Sequence, residues 1–150
     1  MPRGAADGNP SLRTRGTELV RLPSHVDVRG SLVWGQVESH LPFKPLRFWF
    51  VHGVPTGESR GNHAHSDMHE LMICVHGSCA ISLDDGVARD EIVLDKPDLG
   101  LHLPPLTWST QHRFSPDAVL LVLADQVYRP ESYLRDYDAF RALVARRSAP

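Results

Sequence analysis

Two histidines separated by a single residue, His63 and His65, have the clearest capacity for chemistry in this sequence. Alternate side chains of an extended strand point to the same side, so both imidazoles are expected on one face and Ala64 on the other. Imidazole exchanges a proton near neutral pH and is the commonest metal ligand in proteins. The pair therefore predicts either proton transfer or metal binding.

A carboxylate follows the pair at Glu70, after the short turn sequence Ser66–Met68. The turn would return Glu70 on the next strand, beside the histidines, whereas a continuous strand would send it to the opposite face. His63, His65 and Glu70 would then resemble a two-histidine, one-carboxylate triad able to hold iron, manganese, nickel or zinc.

Length and composition exclude several classes of function. The chain has 150 residues, which suits one domain, and its formal net charge of −2 disfavours binding to nucleic acid or an anionic membrane. No apolar run approaches the roughly 20 residues that cross a bilayer, and residues 1–5 lead into polar sequence, so a cytoplasmic protein is expected. Cys74 and Cys79 are expected to be unpaired thiols without a catalytic role.

The chain divides into a leader and one domain. Residues 1–17 lack periodicity and predict a flexible leader, and residues 18–150 form the domain. Short apolar runs separated by turn residues predict about eight strands of an all-β sandwich or barrel. Asp84–Gly86 predicts a hairpin turn. The strands are expected at 31–37, 46–51, 63–65, 71–75, 80–83, 91–94, 100–103 and 119–123.

The last part of the chain changes from strand to helix periodicity. Leu134, Tyr137, Phe140 and Val144 lie three or four residues apart, which places them along one face of a helix. The pattern predicts a single C-terminal helix over about 131–146, docked on the strands.

The histidine region resembles the first motif of the cupin superfamily. The matching positions are Gly57, His63, His65, Glu70 and Gly77. This resemblance implies an all-β cupin fold, a double-stranded β-helix or jelly-roll barrel, with one C-terminal α-helix. The second cupin motif normally supplies a histidine as a fourth metal ligand, and here Ser109 stands at its position.

Longer sequence words are similar to a narrower family, the dTDP-sugar 3,4-ketoisomerases, small single-domain cupins that act on dTDP-4-keto-6-deoxyglucose. The words are Arg60–His65, Gly77–Cys79, Leu83–Gly86 and Tyr133–Asp138. The family resemblance implies a homodimer that binds a dTDP-linked keto-deoxysugar and requires neither a metal nor another cofactor.

The same resemblance implies roles for individual residues. His63 and His65 would lie beside the hexose, with His65 favoured as the proton carrier between C3 and C4. Six further residues are candidates for substrate binding: Arg47 and Arg60 for the diphosphate, Trp49 and Trp108 for stacking on the base or sugar, and Glu70 and Ser109 in the cavity wall.

The sequence departs from the family at three places. Trp49-Phe50 replaces two tyrosines, Glu70 replaces a glutamine, and Ser109 replaces a histidine. These changes remove hydroxyl groups and a third imidazole from the expected site and add an acidic group.

Two alternative functions remain open at this stage. One is a metal-dependent cupin enzyme, such as a dioxygenase, that holds Fe(II) through His63, His65 and Glu70. The other is a catalytically silent module that binds a sugar nucleotide.

Overall fold

The computed structural model describes residues 10–150, and strands make up most of that range. Twelve strands, one 3₁₀ helix and one α-helix lie within it. The strands are β1 Glu18–Arg21, β2 Ser24–Asp27, β3 Gly30–Val33, β4 Arg47–His52, β5 Arg60–His65, β6 Glu70–His76, β7 Cys79–Asp84, β8 Arg89–Leu94, β9 Leu99–Leu103, β10 Trp108–His112, β11 Val119–Ala124 and β12 Tyr133–Leu134. The 3₁₀ helix is Pro130–Ser132, and α1 is Tyr137–Ser148.

Ten of these strands form two five-stranded sheets, in the orders β1-β9-β6-β11-β4 and β12-β5-β10-β7-β8. The remaining two, β2 and β3, pair with each other as a separate hairpin. Every neighbouring pair is antiparallel. The arrangement confirms the predicted all-β jelly-roll barrel with one C-terminal helix.

The main hydrophobic core lies between the two sheets, because each sheet turns every second side chain inward. Met72 and Cys74 of β6 meet Ile81 and Leu83 of β7 there. Cys74 and Cys79 are buried free thiols, as expected. Both thiols pack in the core as small apolar groups.

The strand that carries the histidines, β5, is packed on both faces. Ala64 points away from the barrel interior and is fully buried against Phe140 and Val144 of α1. The helix therefore covers the outer face of β5 and leaves both imidazoles on the inner face.

The predicted helix begins too early. Residues 131–136 are not part of α1: Tyr133 pairs with His65 and Leu134 with Ala64, so this stretch adds a strand to the sheet. Asp136 then caps the helix, accepting a hydrogen bond from the Ala139 backbone nitrogen at 2.8 Å. No helix among the described residues is long and apolar enough to cross a membrane.

Four strands lie outside the predicted set, namely β1, β2, β10 and β12. Trp108–His112 was missed because its inward residues, Ser109 and Gln111, are polar and leave no apolar alternation to read. The predicted strand at 31–37 ends at Val33.

The predicted leader falls partly outside the described residues, since nothing is described before residue 10. Within the described part, residues 13–15 are tied to the barrel. Asp90 Oδ2 accepts hydrogen bonds from the backbone nitrogens of Arg13 and Thr14 at 2.8 and 2.7 Å. Asp85 Oδ2 accepts one from the Arg15 nitrogen at 2.7 Å. This segment is therefore anchored beside β8 and does not fit the expectation of flexibility.

Removing the ring that α1 inserts against β5 should destabilise the protein strongly. Phe140 is fully buried, so Phe140→Ala is expected to cost about 3–5 kcal/mol of unfolding free energy. Chemical denaturation would measure this, with Val87→Ala, at a site 91% exposed, as a control that changes little. A loss below about 1 kcal/mol for Phe140→Ala would contradict the packing described.

Candidate active site

A cavity of about 200 Å³ opens inside the barrel, between the inner faces of the two sheets. Its wall carries a concentration of polar and titratable side chains, with Met72, Val51 and Val122 as the apolar part. The polar and aromatic groups of the wall are Trp49, Arg60, His63, Glu70, Gln111 and Tyr133. Small-molecule sites in proteins have this character, a concave surface with a few convergent polar groups.

The two imidazoles are adjacent, with ring centroids 4.8 Å apart and planes at 80°. His63 lies in the cavity wall, and its Nδ1 is 3.0 Å from the Gly61 carbonyl oxygen. A carbonyl only accepts hydrogen bonds, so this contact assigns the proton to Nδ1 and leaves Nε2 as the basic nitrogen. Burial is the main cause that lowers the pKa of His63, which keeps it neutral at pH 7.

His65 is more enclosed than His63. Its side chain is 3% exposed, and neither ring nitrogen has a hydrogen-bond partner among the described residues. It is not in the cavity wall itself but packs against wall residues, with the Tyr133 ring centroid 4.4 Å away. Burial lowers the pKa of His65 to about 3, helped by repulsion from His63 when it is protonated and from the charges of Arg47 and Arg135.

Gly61 allows the wall to close tightly around the histidines. Its φ is +83°, in the left-handed region, and a Cβ there would lie 2.8 Å from Gln111 Oε1. A side chain at this position would therefore strain the backbone and collide with β10. The glycine lets β5 and β10 approach closely at the cavity wall.

Glu70 returns beside the histidines at the start of β6. Its Oε1 lies 3.5 Å from His65 Nε2, and the residue is 5% exposed. Burial raises the pKa of Glu70 to about 7 against the opposing pull of Arg47. The distance alone would allow an ion pair, but burial moves the two pKa values in the directions that make both groups neutral. Between about pH 3 and pH 7, a neutral acid therefore lies next to a neutral imidazole.

The geometry does not support the metal triad considered from the sequence. Among residues 10–150, no three His, Cys, Asp or Glu side chains are placed to hold a metal ion. His63 and His65 meet edge to face, and His63 Nδ1 is directed to a backbone carbonyl. His63 and Glu70 lie in the cavity wall with His65 behind it, and the three side chains do not form a set of ligands around one point.

Tyr133 is the site residue that sequence reasoning missed. Its ring contacts both imidazoles, with centroids 5.0 Å from His63 and 4.4 Å from His65. Its hydroxyl accepts a hydrogen bond from Arg47 Nη2 at 3.1 Å. The residue belongs to the sequence word Tyr133–Asp138, but helix periodicity assigned that word to a helix and concealed the strand pairing that brings Tyr133 to β5.

Arg47 and Trp49 lie on the inner face of β4. The Arg47 guanidinium carbon is 4.4 Å from the Trp49 ring centroid, and its Nε is buried without a hydrogen-bond partner in the described chain. Trp49 and Arg60 reach the cavity wall directly. The aromatic and cationic candidates from β4 and β5 therefore lie close together.

Strand β10 separates two of the predicted site residues. Ser109 points inward, is 2% exposed and accepts a hydrogen bond from Gln111 Nε2 at 3.3 Å. Trp108 points outward and packs against Tyr137 and Phe140, with ring centroids 5.2 and 5.5 Å away. Trp108 thus does not reach the barrel cavity, because neighbouring residues of a strand face opposite sides.

Trp108 instead borders a larger groove, of about 520 Å³, on the outer face of β7, β8 and β10. Charged groups there already pair with each other. Asp84 Oδ2 accepts hydrogen bonds from Arg89 Nε at 2.9 Å and from the Tyr137 hydroxyl at 2.6 Å. The groove lacks the unpartnered buried nitrogens found inside the barrel, so the smaller inner cavity is the better candidate for the active site.

Comparison with known proteins agrees with this geometry. The family model "FdtA: WxcM-like, C-terminal" matches residues 15–145. The chain belongs to the FdtA family. It is also 36% identical over 129 residues to the TDP-4-oxo-6-deoxy-α-D-glucose-3,4-oxoisomerase of Aneurinibacillus thermoaerophilus, covering 86% of this chain and 93% of that protein. The predicted resemblance to the dTDP-sugar 3,4-ketoisomerase family is confirmed.

Solved structures of 3,4-ketoisomerases match the fold closely. A 3,4-ketoisomerase from Helicobacter canadensis is 33% identical with a TM-score of 0.84, covering 87% of this chain and 98% of that one. The sugar 3,4-ketoisomerase QdtA from Thermoanaerobacterium thermosaccharolyticum, in complex with TDP, is 30% identical with a TM-score of 0.87, covering 90% and 98%.

Glu70 should make the stability of this FdtA family member depend on pH. A buried carboxyl whose pKa is raised to about 7 binds its proton more tightly when folded, so stability falls as pH rises from about 4.5 to about 7. Glu70→Gln removes the ionisation and should stabilise the protein above pH 7 by on the order of 3 kcal/mol.

The gain should vanish below about pH 4.5, where Glu70 is protonated in both states. Thermal unfolding of wild type and variant across this range measures the difference. Glu38→Gln, at an exposed position outside the strands, is the matched control. Equal stabilities of wild type and Glu70→Gln at pH 8 would contradict the burial of an ionisable carboxyl.

Proposed function

We propose that this protein converts a dTDP-4-keto-6-deoxyhexose into the corresponding dTDP-3-keto-6-deoxyhexose. The observation that most directly supports this proposal is the pair of neutral imidazoles beside a polar cavity inside the barrel. The chain also belongs to a family of sugar ketoisomerases. The related Aneurinibacillus protein has this type of activity by name, with TDP-4-oxo-6-deoxy-α-D-glucose. The cytoplasmic location expected from the sequence stays a prediction.

The reaction moves hydrogen without a net change of oxidation state. A base removes the proton from C3 while the C4 ketone oxygen gains one, which gives an enediol. The proton is then returned to C4, and the C3 hydroxyl loses its own proton as it becomes the ketone. A neutral imidazole can accept and return the carbon-bound proton, and general acid–base help of this kind contributes roughly 10²–10⁴-fold.

Both histidines have a place in this scheme. His63 lies in the cavity wall with Nε2 as its basic nitrogen, because Nδ1 is held by Gly61. His65, favoured as carrier by the family resemblance, has two unpartnered nitrogens that a substrate hydroxyl or a neighbouring acid can satisfy. The edge-to-face contact of the rings lets one imidazole orient the other.

Arg60 is proposed to hold the diphosphate. It lies between the barrel cavity and a second hollow of about 340 Å³ formed by residues 50–55 and 58–60. A sugar in the first hollow and a nucleoside in the second would place the phosphates beside Arg60, whose guanidinium can grip two phosphate oxygens at once. Arg47, already bound to Tyr133, and Trp49 would contact the sugar end.

Hydrogen exchange tests this function directly. Wild-type protein with dTDP-4-keto-6-deoxyglucose in D₂O should exchange the C3 hydrogen, which NMR detects even when net conversion is small. His65→Asn should lose the exchange by about 10²-fold or more while still binding dTDP. His76→Asn, at a side chain 67% exposed, is the matched control.

Wild-type binding of the nucleotide sugar without any exchange would identify a silent binding module and overturn the proposed activity. Full exchange by His65→Asn would instead overturn the role given to His65.

A homodimer is proposed from an exposed apolar face. Phe48 and Phe50 of the edge strand β4 point outward, are 63% and 53% exposed, and contact each other with ring centroids 5.8 Å apart. Clustered exposed aromatic rings mark interaction surfaces more often than isolated ones. A second copy of the chain is the partner that the family resemblance implies.

Charge placed on this face should separate the copies. The double variant Phe48→Glu with Phe50→Glu is expected to be monomeric in light scattering, because two carboxylates would lose their hydration in the interface. Val87→Glu, at an exposed turn position, should leave the oligomeric state of wild type unchanged. A dimer that survives the double variant would contradict this assignment of the interface.

A further inference from the structure

Glu70 is an acidic group in the cavity wall that takes no part in the proton transfer between C3 and C4. Its carboxyl lies in the same wall as His63 and within 3.5 Å of His65 Nε2. It is nearly enclosed by β11 on one side and β9 on the other, where Ala124 and Leu103 are its pairing neighbours. An acidic side chain in such a place is costly unless it is neutral or paired.

The groups that face Glu70 decide which form it takes. His65 and His63 come from β5, Arg60 from the beginning of the same strand, Arg47 from β4 and Tyr133 from β12. The guanidinium of Arg47 is already engaged by the Tyr133 hydroxyl and the Trp49 ring. Burial outweighs the attraction of Arg47 and keeps the proton on the carboxyl through the acid side of neutrality.

A neutral carboxylic acid has a donor that a carboxylate lacks. Glu70 Oε1 lies 3.5 Å from His65 Nε2 without a hydrogen bond between them, and the carboxyl belongs to the cavity wall, so its O–H can be donated into the cavity. Removal of the C3 proton from a 4-keto sugar pushes negative charge onto the ketone oxygen. A donor fixed in a site that excludes water stabilises such developing charge far better than one in water.

We propose that Glu70, as its neutral acid, donates a hydrogen bond to the sugar oxygen that becomes negatively charged in the transition state. This inference rests on the proposed ketoisomerase function and adds a catalytic residue to it. The chain thereby gains a donor whose presence depends on pH, because ionised Glu70 can only accept.

Two substitutions distinguish the hydrogen-bond donor of Glu70 from the space that its side chain fills. Glu70→Met fills similar space without a donor and should lower kcat by roughly 10²–10³-fold at every pH, with dTDP affinity retained. Glu70→Gln keeps an N–H donor that does not titrate, so it should lose less activity than Glu70→Met. Glu91→Gln, an equivalent amide substitution on the outer face of β8, is the control with unchanged kcat.

The dependence of kcat on pH is a second measurement, and a residue with only a packing role would not change it. The wild-type kcat should fall as pH rises above about 7, since Glu70 then loses its proton. In Glu70→Gln this fall should be absent. The rates are measured as C3 exchange in D₂O buffers, with thermal unfolding used to verify that each variant is folded.

The proposal is supported if Glu70→Met loses activity and Glu70→Gln removes the fall above neutrality. It is overturned if Glu70→Met turns over at the wild-type rate, or if Glu70→Gln retains the wild-type pH profile. Failure of the proposed function is a separate result, because wild-type protein would then show no exchange at any pH.

Discussion

The site depends on one constraint. Side chains of β5 alternate between two faces, and pairing on both edges of the strand fixes which of them face inward. Strand β10 binds one edge and β12 the other, and the register places Ser109 opposite His63 and Tyr133 opposite His65. With both edges paired, β5 cannot slip by one residue without exchanging Ala64 for an imidazole against α1. Buried packing of Ala64 on Phe140 therefore fixes the direction of both imidazoles.

The interior of the barrel has been adapted for chemistry at the expense of stability. A protein core of this kind is normally filled by apolar side chains, as it is around Ile81 and Leu83. Near β5 the same space instead contains His65 and Glu70, both enclosed and both driven toward their neutral forms. A neutral acid and a neutral base can coexist there, whereas two buried charges would lose the hydration that water gives them.

Sequence patterns predicted the barrel, the inward histidine pair and the unpaired cysteines, because period-two alternation and residue spacing are local properties. They failed where distant pairing overrides local pattern. The stretch around Tyr133 has helical spacing but pairs with β5, and Trp108 looked like a cavity aromatic although its strand turns it to the outer face. The pKa of Glu70 depends on enclosure by β9 and β11, which spacing along the chain does not reveal.

Tyr133 completes a wall whose other members all precede it in the chain, the latest of them being Val122. Without β12, both imidazoles would face water along the unpaired edge of β5, because the Tyr133 ring that covers them would be absent. The dry surroundings of the histidines therefore depend on a strand of only two residues.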